Sequence, residues 1–259
     1  MDLENAVASG DEQPLINFLN TKPDLDLLHG LIHKAALHGY IHIVEILLNY
    51  GVNIEERATI DGLENVTPLM IGCIEGHVDI VEFLIKKGAI IDCQCLSDTC
   101  QSNVANVTDI IDLLFQSYKG ILVSLINSRD EFGMTPLTMA LYGKYSGPII
   151  DRLIIHGADL NYGTDDGVTH LMILAENNRE NLLELLLSYG CNINECDNNG
   201  DTALIIACKN KSRRCINVLV DHNADVDIVN NDGKSAIDYT RSKKVSGLLL
   251  SKSNVFIRR

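Results

Sequence analysis

The sequence predicts an all-α repeat solenoid of about eight units, counting a degenerate cap at each end. Three observations predict it. A Thr-x-Leu start recurs at a steady pitch: Thr135 lies 68 residues after Thr67, which is twice 34, and Thr169, Thr202 and Ser235 follow at steps of 34, 33 and 33. A second marker, Gly51, Gly88, Gly157, Gly190 and Asn223, keeps a similar pitch with residues that tolerate the left-handed backbone past a helix's last turn. Between the markers, apolar residues fall at helical spacing in two short runs that cannot bury their faces alone, so each copy needs a neighbour.

The clearest copy is residues 66–92, VTPLMIGCIEGHVDIVEFLIKKGAIID. Thr67 can cap a helix with its hydroxyl, and Pro68 suits the first turn, where a missing N–H costs nothing. A short helix is predicted over 68–74. Gly76-His77 turns the chain, and a second helix over 78–86 places Ile80, Val81, Leu84 and Ile85 on one stripe. Gly88 ends it.

In chain order, residues 1–28 form an N-terminal cap, with helices around Leu3–Val7 and Leu15–Leu19 and an acidic exterior from Asp2, Glu4, Asp11 and Glu12. Repeat 29–57 has its first helix at 32–36 and its second at 41–49. Repeat 58–92 is the reference copy, with a lengthened hairpin loop over 58–65. Repeat 93–129 is degenerate. No Thr-Pro-Leu starts it, Cys93 to Asn106 reads as a long polar loop, and two helices are expected around Ile110–Phe115 and Ile121–Ile126. Repeats 130–161, 162–195 and 196–228 follow, the first with a bulged turn at 143–148 and Pro148 opening the next helix. Residues 229–255 form a shortened C-terminal cap with helices over 236–241 and 245–250, and residues 256–259 read as a frayed tail.

Several stretches resemble the ankyrin repeat family: TPLM at Thr67–Met70, GHVDIVEFLIKKGA at Gly76–Ala89, HGADLN at His156–Asn161, YGCNIN at Tyr189–Asn194, NNGDTAL at Asn198–Leu204 and NDGKSAI at Asn231–Ile237. The resemblance covers nearly the whole chain. It implies a unit of helix-turn-helix plus β-hairpin loop, and a single domain over 1–259. It is specific for fold and says little about function.

Composition narrows the classes. The formal net charge is −14, which disfavours nucleic-acid backbones and anionic lipid and suits a partner with a basic patch. Trp is absent and aromatics are 5%, so base-stacking platforms are missing. No tract reaches the roughly 18 apolar residues of a membrane helix. The first residues lack a signal-peptide pattern, and eight cysteines fit no disulfide framework. A reduced cytoplasmic or nuclear setting is expected, with the chain a monomer.

No enzyme constellation or cofactor motif is present, so a non-enzymatic chain is expected. Cys93, Cys95 and Cys100 share one segment as C-x-C-x4-C, with no fourth ligand nearby to complete a zinc site. Cys73, Cys191 and Cys208 stand at small-residue positions of the repeat and read as buried fillers. His29, His33, His38 and His42 include H-x3-H spacings, but the turn at Gly39 splits the second pair, and His33 stands where the resembled family places a packing histidine.

By resemblance, the hairpin tips and the first-helix surface line a concave face that grips a protein partner. That face would use Glu131, Phe132, Met134 and Tyr142, then Asp165, Asp166, Val168, Glu176 and Asn177, then Asn198, Asn199, Asp201, Lys209 and Asn210. Leu37, His38, Glu64, Val66, Ile74 and Glu75 would extend it. Phe132, Met134 and Tyr142 read either as binding anchors or as covers for neighbouring loops. Asn161 and Asn194 occupy the loop position that is sometimes hydroxylated in the resembled family, and the alternative is a hydrogen-bonded turn asparagine. Two further functional readings are a regulatory or substrate-recruiting subunit of an enzyme complex, and a viral or pathogen effector that imitates host ankyrin proteins.

Overall fold

The computed structural model describes residues 3–117, 122–130, 133–143 and 146–253. The readings placed on Ile121, Glu131, Phe132, residues 144–145 of the bulged turn and the tail from Phe256 lie outside them. The chain packs as two compact bodies, one of Met1–Asp130 with Thr135–Gly157, the other of Glu131–Met134 with Ala158–Arg259.

The first body begins with α1 (Leu3–Ser9) and α2 (Glu12–Leu19), a 3₁₀ turn at Leu25–Leu28, then α3 (Leu31–Leu37) and α4 (Ile41–Tyr50). The long loop before the reference copy is a true antiparallel hairpin, β1 (Ala58–Ile60) and β2 (Leu63–Val66). Next come α5 (Pro68–Glu75), α6 (Val78–Lys86), α7 (Cys93–Gln101), α8 (Val107–Ser117), the short α9 (Leu122–Leu125), α10 (Pro136–Tyr142) and α11 (Ser146–Ile155). First helices pack on first helices, α1 to α3, α3 to α5, α5 to α7 and α7 to α10, and second helices pack likewise, α4 to α6, α6 to α8 and α8 to α11.

The second body holds α12 (His170–Glu176), α13 (Glu180–Ser188), α14 (Ala203–Lys209), α15 (Arg213–Asp221), a 3₁₀ helix at Ala236–Tyr239 and α16 (Lys243–Lys252). Its hairpins are closed by single β-bridges, Gly163 to Thr169, Cys196 to Thr202 and Val229 to Ser235. This is the all-α repeat solenoid architecture that the phased markers predict.

The start signals act as read. Thr67, Thr169 and Thr202 each accept a hydrogen bond from the backbone N–H three residues on, at 3.3, 3.4 and 3.3 Å, as does Thr135 at 3.1 Å. Each such cap is worth about 1 kcal/mol. The first helices are buried almost throughout, because a neighbour covers both flanks: Pro68 to Cys73 and His170 to Ala175 are all buried. The second helices bury one stripe only, such as Ile80, Val81 and Leu84 of α6. Each fully buried Leu or Ile contributes roughly 1.5–3 kcal/mol before entropy is charged against it.

One expectation is overturned. Residues 93–101 are a helix and not a polar loop. Asp92 replaces the missing threonine, its carboxylate accepting the Cys95 N–H at 2.8 Å. The buried face is built from small polar residues as well as apolar ones: Cys95, Leu96, Ser97, Thr99 and Cys100. The Thr99 hydroxyl donates to the Cys95 carbonyl at 2.7 Å, which removes one polar burden. The degenerate repeat is therefore α7 and α8, with α9 added after it, and not a pair of helices after a long loop. Pro148 lies in the first turn of α11, which starts two residues earlier at Ser146.

Histidines lock hairpins to helices. His33 is fully buried, with Nε2 at 2.9 Å from the Glu56 carbonyl and 3.0 Å from the Val66 carbonyl, so Nε2 carries the proton. Its Nδ1 makes no hydrogen bond among the described residues. Burial lowers its pKa, with the Glu56 carbonyl opposing. His170 Nδ1 donates to the Leu160 carbonyl at 2.9 Å, and burial lowers its pKa too.

Candidate functional site

A groove of about 680 Å³ opens on the hairpin and first-helix side of the first body. One wall is the β1–β2 hairpin, with Gly62, Leu63, Glu64 and Val66, and Ile74 of α5 adjoins it. The other wall is α7 and the chain after it, with Gln94, Asp98, Gln101, Ser102 and Asn103. Tyr142, at the end of α10, closes the far side with its side chain half exposed. Close approach of backbones holds that end in place. A Cβ at Gly143 would stand 3.2 Å from the Cys100 carbonyl oxygen, so a side chain there would push α10 from α7.

The groove has unspent polarity. Ser102 is 8% exposed and its hydroxyl makes no hydrogen bond among the described residues, which costs about 1–3 kcal/mol if nothing fills it. Burial pushes the Asp98 carboxyl above the usual carboxylate range, and Asp92 and Asp130 push it the same way. The Gln94 amide, donating to Asp98 at 2.8 Å, pulls the other way without cancelling the shift. Glu64 is exposed and makes no ion pair among the described residues. Asp98 likewise makes no ion pair among the described residues, so the groove offers two carboxylates, amide and hydroxyl groups, and an aromatic face.

Of the residues expected on the binding face, Glu64, Val66, Ile74 and Tyr142 come together here, although Val66 is 5% exposed and mostly wall. Leu37, His38 and Glu75 do not line the groove. Gln94, Asp98, Gln101, Ser102 and Asn103 were missed because their segment reads as a loop. The available signal was Asp92 as a cap, followed by Leu96 and Cys100 at helical spacing.

In the second body the hairpin tips carry Asp165, Asp166, Asn198 and Asn199, all exposed. They are tied in a ladder. The Asn198 N–H donates to the Asp166 carbonyl and the Asn231 N–H to the Asn199 carbonyl, at 3.0 and 2.9 Å. Gly200 sits where a Cβ would meet Asn231 at 2.8 Å, and its φ of +75° excludes most side chains as well. Glu176, Asn177, Lys209 and Asn210 are exposed on the first-helix ends, while Met134 and Val168 are half-buried. Asn161 and Asn194 use their side-chain oxygens to accept the N–H of Asn192 and of Asp225, each at 2.9 Å. Asp201 departs from the expectation of a partner-facing group. It is 4% exposed, receives the Asn230 amide at 2.8 Å and forms an ion pair with Lys209. Its carboxylate is spent inside the protein.

The cysteine reading changes with the helix. Cys95 and Cys100 are buried and Cys93 is half-buried. Cys95 lies 3.8 Å from Cys73, and their hydrogen bond, with burial added, raises its pKa well above the ordinary thiol value. Among the described residues no group of three or more His, Cys, Asp or Glu is placed to hold a metal ion. Nor is any helix among them long and apolar enough to cross a membrane.

The family model for ankyrin repeats matches residues 3–95, 99–195 and 171–256. The chain belongs to the ankyrin repeat family. It is 36% identical over 167 residues to a fowlpox virus (strain NVSL) protein named as an ankyrin repeat protein, covering 61% of this chain and 46% of that one. It is 35% identical over 88 residues to protein phosphatase 1 regulatory subunit 27 of Mus musculus, covering 32% of this chain and 54% of that one. The chain thus spans about half the length of these relatives. Among solved structures, the ankyrin repeat domain of Bcl-3 aligns with a TM-score of 0.71 at 24% identity, over 85% of this chain and 97% of that one. The human ASB11 ankyrin repeat domain aligns with a TM-score of 0.67 at 22% identity, over 86% and 97%. These structural likenesses speak to fold.

Proposed function

We propose that this ankyrin repeat protein recognises a partner protein, and that the groove of its first body takes an extended, basic segment of that partner. Ankyrin repeats are in general protein-interaction modules. The observation that carries the finer reading is the groove's unmatched chemistry. Among the described residues Asp98 and Glu64 make no ion pair and the buried Ser102 hydroxyl has no hydrogen-bond partner, and Tyr142 offers an exposed ring. An Arg or Lys side chain would pair with the carboxylates and stack on the ring, and backbone amides of an extended segment would meet Ser102 and Gln101. The net charge of −14 would speed the encounter with such a segment and repel nucleic acid and anionic lipid. In this reading the chain is a cytoplasmic or nuclear monomer, performs no catalysis and needs no cofactor. The exposed tips of the second body provide further contact, with Asn161 and Asn194 as candidate hydroxylation positions.

Two relatives support variants of the same reading. The likeness to a phosphatase 1 regulatory subunit supports a regulatory or recruiting subunit, and the likeness to a fowlpox virus protein supports a viral effector. The test is selection of ligands from a random peptide library on the full chain. Enrichment of Arg and Lys, with at least tenfold weaker binding to Tyr142→Ala and Glu64→Lys, is expected. Peptides without basic residues, or binding unchanged by both substitutions, would reject the proposal.

A further inference from the structure

A second cavity, of about 500 Å³, opens in the second body between the α14–α15 turn and the turn before α16. Lys211, Arg213 and Arg241 stand around it, and no carboxylate lines it, in a chain of 35 acidic and 21 basic residues. None of the three cations makes an ion pair among the described residues. Their neighbours do: Arg214 is held by Glu180 at 2.6 Å and Lys209 by Asp201. Buried Ile216 and Val245 form an apolar wall, the half-buried ring of Tyr239 adds an aromatic face, and Cys208, Thr240 and Ser242 complete the lining. Two more ammonium groups, of Lys209 and Lys234, lie 4.7 and 5.7 Å from the centre of that ring.

Lys209 and Lys234 already have carboxylate partners, Asp201 and Asp232, but Lys211, Arg213 and Arg241 are like charges gathered round one cavity; water and salt screen part of their repulsion, and a bound anion relieves the rest. Two arginines favour a group with several oxygens in fork geometry, as a phosphoryl group has. The volume is far larger than a phosphate ion needs and lies within the range of sites for small organic ligands. We propose that this cavity binds a phosphate monoester, with the phosphoryl group on Lys211, Arg213 and Arg241 and the ester's apolar body against Tyr239, Ile216 and Val245. This site is independent of the groove in the first body.

The test is isothermal titration calorimetry of the full chain with phenyl phosphate, inorganic phosphate and phenol. Phenyl phosphate is expected to bind at least tenfold more weakly to the K211Q/R213Q/R241Q variant, and more weakly as salt rises. Phenol is expected not to bind. The three side chains are exposed, so the variant should melt with the wild type, and Arg241→Gln alone, at a turn, serves as a second variant with a smaller loss. A short phosphotyrosine peptide that binds more tightly than phenyl phosphate assigns the ester to a phosphorylated protein, and equal or weaker binding assigns it to a free small molecule. No binding of phenyl phosphate at millimolar concentration overturns the proposal. So does binding to the triple variant within twofold of wild type, or inorganic phosphate binding as tightly as its phenyl ester.

Discussion

Replacing Asp201 by alanine should unfasten the C-terminal cap. The Asp201 carboxylate is 4% exposed and joins two adjacent repeats: it accepts the Asn230 amide at 2.8 Å and pairs with Lys209. A buried hydrogen bond to a charged acceptor is worth about 1.5–3 kcal/mol. The lysine side chain is 33% exposed, so water screens that pair, and about 0.5–1 kcal/mol is a fair allowance. Asn230 keeps a second partner for its amide, the Tyr239 hydroxyl at 2.8 Å, which limits the damage. The expected loss is about 2–4 kcal/mol. In a repeat protein such a loss falls on the nearest-neighbour contact, so α16 and the 3₁₀ helix before it should open first. Urea denaturation followed by circular dichroism measures the size, and amide hydrogen exchange measures the place. A loss below about 0.5 kcal/mol, the ordinary range for exposed sites, together with weaker partner binding, would refute this account and return Asp201 to the recognition surface.

Ser97→Ala should stabilise the protein by about 1 kcal/mol, because the wild-type hydroxyl is 1% exposed and makes no hydrogen bond among the described residues; a thermal melt that falls instead would show that the hydroxyl has a partner. Stability should decline as pH falls below about 6.5, where the unfolded chain takes protons that buried His33 and His170, with lowered pKa values, still refuse. The slope is at most about 1.4 kcal/mol per pH unit for each histidine, is lost again below their folded pKa values, and should flatten in the His33→Gln, His170→Gln double variant when urea midpoints are compared at pH 7.5 and 5.5. Thiol labelling of the native chain should modify exposed Cys196 first and half-buried Cys93 next, whereas Cys100, pushed by burial far above the ordinary thiol range, and Cys208, pushed up to about 12, should react only on unfolding. Mass mapping after a short alkylation decides this.

Much of the architecture was legible because its signals are local. Thr67, Thr135, Thr169 and Thr202 announce helices within three residues of themselves, and apolar stripes such as Ile80, Val81 and Leu84 need one neighbour to make sense. The failure at 93–101 has a physical cause. CQCLSDTCQ has a helix's spacing but not a helix's apolarity, and its burial on both flanks is imposed by α5 and α10, which the local sequence does not mention. The groove inherits that failure, since five of its eleven lining residues come from α7 and the two residues after it. Tyr142, Glu64 and Ile74 could be anticipated from their place in the repeat. Asp201 could not be told from a surface acid, because its partner Asn230 lies 29 residues away. The cation cavity was invisible for a related reason: Lys211 and Arg213 look like ordinary polar turn residues until Arg241 is brought beside them.

The hairpin ladder of the second body has a bearing on how such a chain changes length. The Asn198 side chain donates to a carbonyl 33 residues earlier, and Asn231 does the same to the carbonyl of Asn198. Asn161 and Asn194 accept from donors 31 residues ahead of each. Every rung is thus interchangeable with the next. A gene that gains or drops 33 codons here splices matching rungs together, whereas an indel of five or ten leaves donors facing the wrong acceptors. Growth and loss by whole modules is the path of least resistance for this part of the molecule.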